Sequence, residues 1–263
     1  MEMTRRAMAV GAATAVATPA FAQDAWRELA PGLALMETQT NARIGDRKLH
    51  ALRIDPARYE FTLLTGRLTG QAPQTARAWA GAHGLVAATN AAMFGPDGRP
   101  VAYAKANGEV VTPRMTADRS VFVFERASAR LIDRTCDTFD PAAHRNALQG
   151  MRMIACDGRN VWARQDRMWS TAALGVDRDG RVHFVHSRSP FAVHDFIEVL
   201  RAAPFSLARA MYLEGGPEAT LYVNAGGVTL ERYGSYETGF NENDDNDRAW
   251  PLPNVLGVRR RAA

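Results

Sequence analysis

Cysteine is scarce in this chain: Cys136 and Cys156 are the only two in 263 residues. That excludes a disulfide-dense miniprotein, and the lack of any CxxC spacing argues against a zinc or dithiol redox site. Surplus charge is also small. The 32 basic and 28 acidic residues leave a formal net charge of +4. No concentrated basic stripe tracks a phosphate backbone, so nucleic acid is not an expected partner. There is no HExxH, and of the six histidines only His183 and His186 sit close together. They lie three apart in a stretch of strand character, so they face opposite sides and cannot share one ion. No internal repeat or low-complexity linker divides the chain, and beyond residue 22 no apolar run could span a bilayer. What is present, 46% hydrophobic and 23% charged residues, is an ordinary globular balance. At this length one core needs no metal or disulfide staples. A single domain over residues 23–263 is expected.

The first 22 residues read as an export signal. Arg5 and Arg6 precede a small, apolar, uncharged stretch, and Ala20-Phe21-Ala22 is an A-x-A cleavage signature before Gln23. Thr4-Arg5-Arg6 resembles a twin-arginine start. The chain is therefore expected in the periplasm or outside the cell, with no stable membrane insertion once the signal is cut. In an oxidising compartment Cys136 and Cys156 are either joined or two separate buried thiols.

Along the mature chain, Tyr59, Phe61 and Leu63 share one strand face, and Thr75 caps a short helix ended by Gly84. Asn107-Gly108, Asp157-Gly158 and Arg178-Asp179-Gly180 read as hairpin turns. Asp140 to Gln149 reads as a short helix. Val193, Phe196, Ile197 and Leu200 fall at i, i+3, i+4 and i+7, so 192–202 reads as an amphipathic helix. Several hairpins with a few helices predict an α+β domain whose sheet is mixed or largely antiparallel.

Chemistry is most concentrated at Tyr212-Leu213-Glu214-Gly215-Gly216-Pro217-Glu218. A buried strand ends in a carboxylate, and two glycines then leave backbone N–H groups bare, a turn suited to an anion. Glu214 beside it could move a proton during bond cleavage. The plainer reading is a strand-ending turn. Asn90 ends another apolar strand, where its amide either bonds a neighbouring backbone or points into a cleft. Arg188 sits at a strand-to-helix junction, a frequent phosphate position. In the acidic loop 241–247, Asn243, Asp245 and Asp247 carry oxygens that suit calcium, without the EF-hand glycine or spacing; a solvated loop is the alternative.

Taken in order, these segments resemble the phosphodiester glycosidase family. The resemblance runs from about residue 51 to 258 and rests on five segments. They are Asn90 with nearby Phe94, Ala173-Leu174-Gly175-Val176-Asp177-Arg178-Asp179-Gly180, the helix around Asp195-Phe196, the turn from Ala210 to Gly216, and Pro253-Asn254-Val255. Three positions depart from it. Glu214 stands where the family usually has Asp, Pro217-Glu218-Ala219-Thr220 replaces a serine-bearing run, and Ser170-Thr171 stands where an Arg is typical, with Arg167 displaced. The resemblance implies an exported hydrolase that cleaves a sugar phosphodiester in an envelope or extracellular glycan. It implies Glu214 as acid or base and Asn90 on a sugar hydroxyl or phosphate oxygen. Gly215, Gly216 and Arg119 or Arg188 would hold the phosphate. No cofactor is required by this scheme, calcium being the one metal the sequence leaves open. The alternative on the same fold is a non-catalytic binder of anionic envelope polysaccharide.

Overall fold

A computed structural model describes residues 25–261 of the chain. The export signal therefore lies outside the described residues. The strands are β1 (Arg27–Ala30), β2 (Leu33–Gln39), β3 (Lys48–Ile54), β4 (Tyr59–Thr65), β5 (Ala87–Asn90), β6 (Ala104–Ala106), β7 (Glu109–Thr112), β8 (Ser120–Glu125), β9 (Ser128–Asp133) and β10 (Ala147–Ile154). They continue as β11 (Trp169–Asp177), β12 (Val182–Phe191), β13 (Leu207–Gly215), β14 (Thr220–Ala225), β15 (Val228–Tyr233) and β16 (Asn254–Arg260). Helices α1 (Gly66–Thr69), α2 (Ala76–His83) and α3 (Val193–Ala202) are short. All strand pairs are antiparallel. The larger sheet runs β1-β2-β3-β12-β11-β13-β10-β6-β7, with β8 and β9 branching from β10; the smaller runs β15-β14-β5-β16-β4.

The two sheets pack face to face. Leu52, Leu174, Phe184 and Leu213 of the larger meet Phe61, Leu63, Leu221, Val223 and Leu256 of the smaller in one buried cluster. Each such side chain contributes about 1.5–3 kcal/mol on leaving water. The helices close the outer faces. Val193, Phe196, Ile197 and Leu200 of α3 cover Leu49, Ala51, Ala173 and Val185. Trp79 of α2 packs with Ala88, Tyr222 and Val255, and its indole donates to the Leu252 carbonyl at 2.9 Å.

Local signals account for much of this. The Thr75 hydroxyl accepts from the Ala78 N–H at 3.2 Å and Gly84 stops α2 at φ 62°. Asn107 and Gly108 both take positive φ in the β6–β7 turn, 53° and 90°. The antiparallel expectation holds, but the α+β balance does not: the fold is mostly β, because only α2 and α3 exceed one turn. The helix expected over 140–149 is also replaced. A 3-10 turn, Pro141–Ala143, is all that forms there, and β10 starts at Ala147. Pairing Ala147 to Val123 of β8 and Met151 to Tyr212 of β13 outweighs local propensity. After Asp157-Gly158 only an isolated bridge, Ile154 to Asn160, is made. The Asn160 side-chain amide is drawn instead to α3, donating to the His194 carbonyl at 2.9 Å and Glu198 Oε1 at 2.8 Å.

Candidate active site

Strand β13 carries Glu214 to the edge of the sandwich, and a register irregularity aims it. Ala173 of β11 faces Tyr212, whereas Ala172 faces Glu214, so Leu213 is the extra residue of a bulge. Bulges of this kind turn a side chain out of its ladder. Gly215 follows in extended conformation, and it must be glycine because a Cβ there would collide with the Tyr212 hydroxyl and the Trp169 ring. Gly216 takes φ +65°, and a Cβ on it would strike the Glu237 carboxylate. The chain then makes a 3-10 turn over Gly216–Glu218.

That turn is held from three sides. The Asn90 Nδ2 donates to the Glu218 carbonyl at 2.8 Å, and its Oδ1 accepts from the Thr220 N–H at 2.7 Å. His186 Nε2 lies 3.1 Å from the Ala219 carbonyl. The Gly234 N–H donates to the same carbonyl at 2.7 Å. Glu218 is thus delivered to a fixed place beside Glu214.

Met93, Phe94, Met151, Trp162, Trp169 and Tyr212 wall a pocket of about 390 Å³ into which Glu214, Glu218, Glu237 and Arg167 project. Glu214 keeps a narrow opening to this space, but protein surrounds its carboxyl on nearly every side. Burial, reinforced by the charges of Glu218 and Glu237, pushes its pKa up to about 8 against one bond from the Gly215 N–H. Burial also raises Glu218, with Glu237 adding to the shift. The Tyr212 phenol is raised well above its ordinary value by burial and then by Glu214. At neutral pH the pocket therefore presents a protonated carboxyl, a protonated phenol and one cation, next to further carboxyls and aromatic faces.

The residues singled out in the sequence scatter more than expected. Glu214 and Gly215 line the pocket, and Gly216 lies directly behind, against Glu237. The Gly215 N–H donates to Glu214 Oε1 at 3.1 Å, so it serves the carboxyl and is not a bare cradle for an anion. Asn90 is 1% exposed, and both ends of its amide are engaged with backbone. Through those two bonds it positions Glu218. Arg119 belongs to an adjoining lobe beyond Met151 and Trp162. Arg188 is committed elsewhere: its Nε pairs with Asp244 Oδ1 at 2.7 Å, and its Nη2 donates to the Asp244 and Asn246 carbonyls at 3.1 and 3.0 Å. That guanidinium organises the acidic loop that carries Asn243, Asp245 and Asp247. Among the described residues the one group of three His, Cys, Asp or Glu ligand atoms close together is Asp133, Cys136 and Cys156. Its two cysteines are joined to each other, with Cα atoms 6.8 Å apart.

Glu218, Glu237, Arg167, Trp162 and Trp169 also line the pocket, beyond the residues the sequence singles out. Of these, only Glu218 lies within the glycine motif. Glu237 is brought in by an isolated bridge to Trp169 and by the Ser170 N–H on the Tyr236 carbonyl at 2.9 Å, pairings no local pattern announces.

A pocket walled by aromatic rings, with clustered carboxyls of raised pKa and one arginine, is the equipment of an acid–base hydrolase acting on a sugar ring. Residues 83–259 match the phosphodiester glycosidase family, and the chain belongs to it. It is accordingly an enzyme, a hydrolase of phosphodiester-linked sugars. None of the curated proteins matches the chain by sequence. Among solved structures, the zebrafish N-acetylglucosamine-1-phosphodiester α-N-acetylglucosaminidase catalytic domain, auto-inhibited by its pro-peptide, superposes with a TM-score of 0.62 at 12% identity. That match covers 91% of this chain and 87% of that one. A hypothetical protein from Synechocystis superposes with a TM-score of 0.61 at 15% identity, over 88% of this chain and 62% of that one. At these identities the likeness is one of fold.

Proposed function

We propose that the chain is an exported glycosidase that cleaves the bond between a sugar C1 and the oxygen of a phosphodiester, in an envelope or extracellular glycan. The raised pKa of Glu214, in a pocket shared with Glu218 and Glu237, carries this reading. A phosphodiester is an anion, and three ionised carboxyls would repel it; a protonated Glu214 instead offers it a donor. In the proposed reaction the sugar lies against Trp162 and Trp169, and Arg167 grips the phosphate. The guanidinium of Arg167 has no hydrogen bond or ion pair among the described residues, so it is free to do so. A water oxygen bonds to C1 as the C1–O bond breaks, and the bonding pair leaves with the phosphomonoester. Glu214 gives its proton to the departing oxygen, Glu237 takes the proton of the water, and solvent restores both. The scheme calls on no cofactor.

The test is hydrolysis of a panel of hexose and N-acetylhexosamine 1-phosphodiesters, with and without EDTA. Release of free sugar and phosphomonoester, unchanged by EDTA and lost in Glu214→Gln, supports the scheme. Tight binding of an anionic glycan with no turnover would instead favour a binding protein. Export is tested separately: the protein taken from its native host should begin at Gln23, in the periplasm or medium.

A further inference from the structure

The pocket does not end at Trp162. Met151 and Trp162 line it on one side and, on the other, an open lobe of about 330 Å³ that contains Arg119, Arg152 and Asp118. From these residues we infer that the lobe is a second subsite, which receives a negatively charged group carried by the alcohol side of the phosphodiester. The inference rests on the Glu214 pocket being the glycosidic site. It narrows the substrate class to a glycosyl phosphodiester within an anionic chain, in which the unit beyond the scissile phosphate bears another phosphate or a carboxylate.

Three observations carry it. The first is an unused cation on a rigid mount. No hydrogen bond or ion pair holds the exposed Arg119 guanidinium among the described residues, yet the loop presenting it is pinned from beneath. The fully buried Gln149 donates through Nε2 to the Thr116 and Asp118 carbonyls at 3.1 and 2.7 Å. Its Oε1 accepts from the Thr116 and Tyr103 N–H groups at 3.0 and 3.2 Å. Arg134 Nη1 donates to the same two carbonyls, at 3.2 and 3.1 Å, and its N–H donates to the Arg119 carbonyl at 2.8 Å. A buried amide with all its bonds made fixes a loop far more firmly than a surface arginine needs for its own sake.

The second observation is a partner cation with capacity to spare. Arg152 spends Nη1 on both Asp133 oxygens at 3.0 Å and on the Thr135 hydroxyl at 2.6 Å, while its Nη2 makes no hydrogen bond among the described residues. Asp133 is itself set by the Cys156 and Thr135 N–H groups, both at 3.0 Å, beside the disulfide. An anion reaching the lobe would meet two arginines already in place. The acid on the same wall, Asp118, has its Oδ2 occupied by the Thr116 hydroxyl at 2.7 Å.

The third is the ring between the lobes. The Trp162 indole donates to the Arg152 carbonyl at 2.7 Å and its N–H to Asn160 Oδ1 at 3.0 Å, which fixes its plane. It stands where a substrate would bend from the acidic pocket, suited to a sugar that needs a proton donor, to the lobe where Arg119 is the cation without an ion pair. That placement also sets polarity, since a chain entering the other way would bring its anion to Glu218 and Glu237.

The experiment compares matched substrates. Each hexose 1-phosphodiester is made twice, once with methanol and once with glycerol 3-phosphate as the alcohol on the phosphate. The wild type should favour the glycerol 3-phosphate diester in kcat/KM by about tenfold, the size of one charge-assisted hydrogen bond, mostly through KM. Arg119→Gln should erase that preference, losing far more on the glycerol 3-phosphate diester than on the methyl diester, and Arg119→Lys should restore part of it. No preference in the wild type, or an equal loss on both substrates in Arg119→Gln, would overturn the inference. Calorimetric binding of glycerol 3-phosphate alone separates the two readings. If neither diester is hydrolysed but binding falls about tenfold in Arg119→Gln, the subsite stands and the catalytic scheme fails. Binding unaltered by the substitution rejects the subsite.

Discussion

At the scale of single residues the decisive quantity is the proton on Glu214. Its folded pKa of about 8 lies well above the ordinary carboxylate value of 4.5. Between those values the folded chain binds more protons than the unfolded one, so this group lowers stability as pH rises from about 4.5 to about 8. The same proton is proposed to drive the chemistry, so stability and activity can be read from one substitution. Glu214→Gln keeps the shape and the donor but cannot titrate. Its rate on a hexose 1-phosphodiester should fall by about 10²–10⁴-fold. Its thermal stability should nonetheless overtake wild type as pH rises. The gain should be on the order of 2 kcal/mol by pH 9, after allowance for the opening to solvent, and negligible near pH 4.5. Melting curves at pH 5, 7 and 9 check this. An equal rate at neutral pH, or no pH trend in the stability difference, would remove Glu214 from the acid role. The wild-type rate should also decline above about pH 8, as the carboxyl ionises and repels the phosphodiester.

At the scale of elements the site depends on joints between strands that local sequence does not display. Asn90 closes the end of β5 onto the turn that carries Glu218, with a buried bond to the Thr220 N–H and a part-buried one to the Glu218 carbonyl. Asn90→Ala leaves the Thr220 N–H unpaired, while the Glu218 carbonyl keeps the Thr220 hydroxyl at 2.9 Å, so a loss of about 1–3 kcal/mol in urea unfolding is expected. Because the amide acts on Glu218 and not on substrate, the surviving folded fraction should show a lowered kcat with KM nearly unchanged. A rise in KM alone would return Asn90 to substrate contact. The contrast with α2 is instructive. Thr75, Trp79 and Gly84 state that helix locally, in a cap, an apolar face and a stop, and it forms as read. Glu214 and its glycines were equally plain, because a carboxylate followed by two glycines is a local statement too. The bulge that aims Glu214 depends on how β11 and β13 align, and Glu237 arrives from a segment 23 positions further on. The partners of Arg188, the Asp244 carboxylate and the Asp244 and Asn246 carbonyls, come from a loop that nothing in its own neighbourhood specifies.

At the scale of the whole molecule two constraints act from opposite sides. The Cys136–Cys156 disulfide, with a sequence separation of 20, ties the end of β9 to the end of β10. Replacing both cysteines by serine should cost roughly 3 kcal/mol by the chain-entropy account, read from the urea midpoint. The second constraint is protonic. His50 and His186 face each other across β3 and β12, inside the sandwich. Burial, with Arg232 adding to it, lowers the His50 pKa to about 4. Burial, with His50 adding to it, lowers His186 to about 3. Both stay neutral when folded and gain protons near 6.5 when unfolded, so between those limits the unfolded state binds more protons and stability falls as pH drops. Glu214 has the opposite slope above about 4.5. The stability maximum of the wild type is therefore held between an acid loss from the histidines and an alkaline loss from the glutamate. The two ends can be moved independently. His186→Gln retains a donor for the Ala219 carbonyl but cannot be protonated, so it should lose less stability than wild type between pH 6.5 and 4 and shift the maximum to lower pH. Glu214→Gln should shift it to higher pH. Unfolding midpoints measured from pH 4 to 9 for the three proteins check both, and a maximum that stays fixed in either variant would show that its pH dependence is set by other groups.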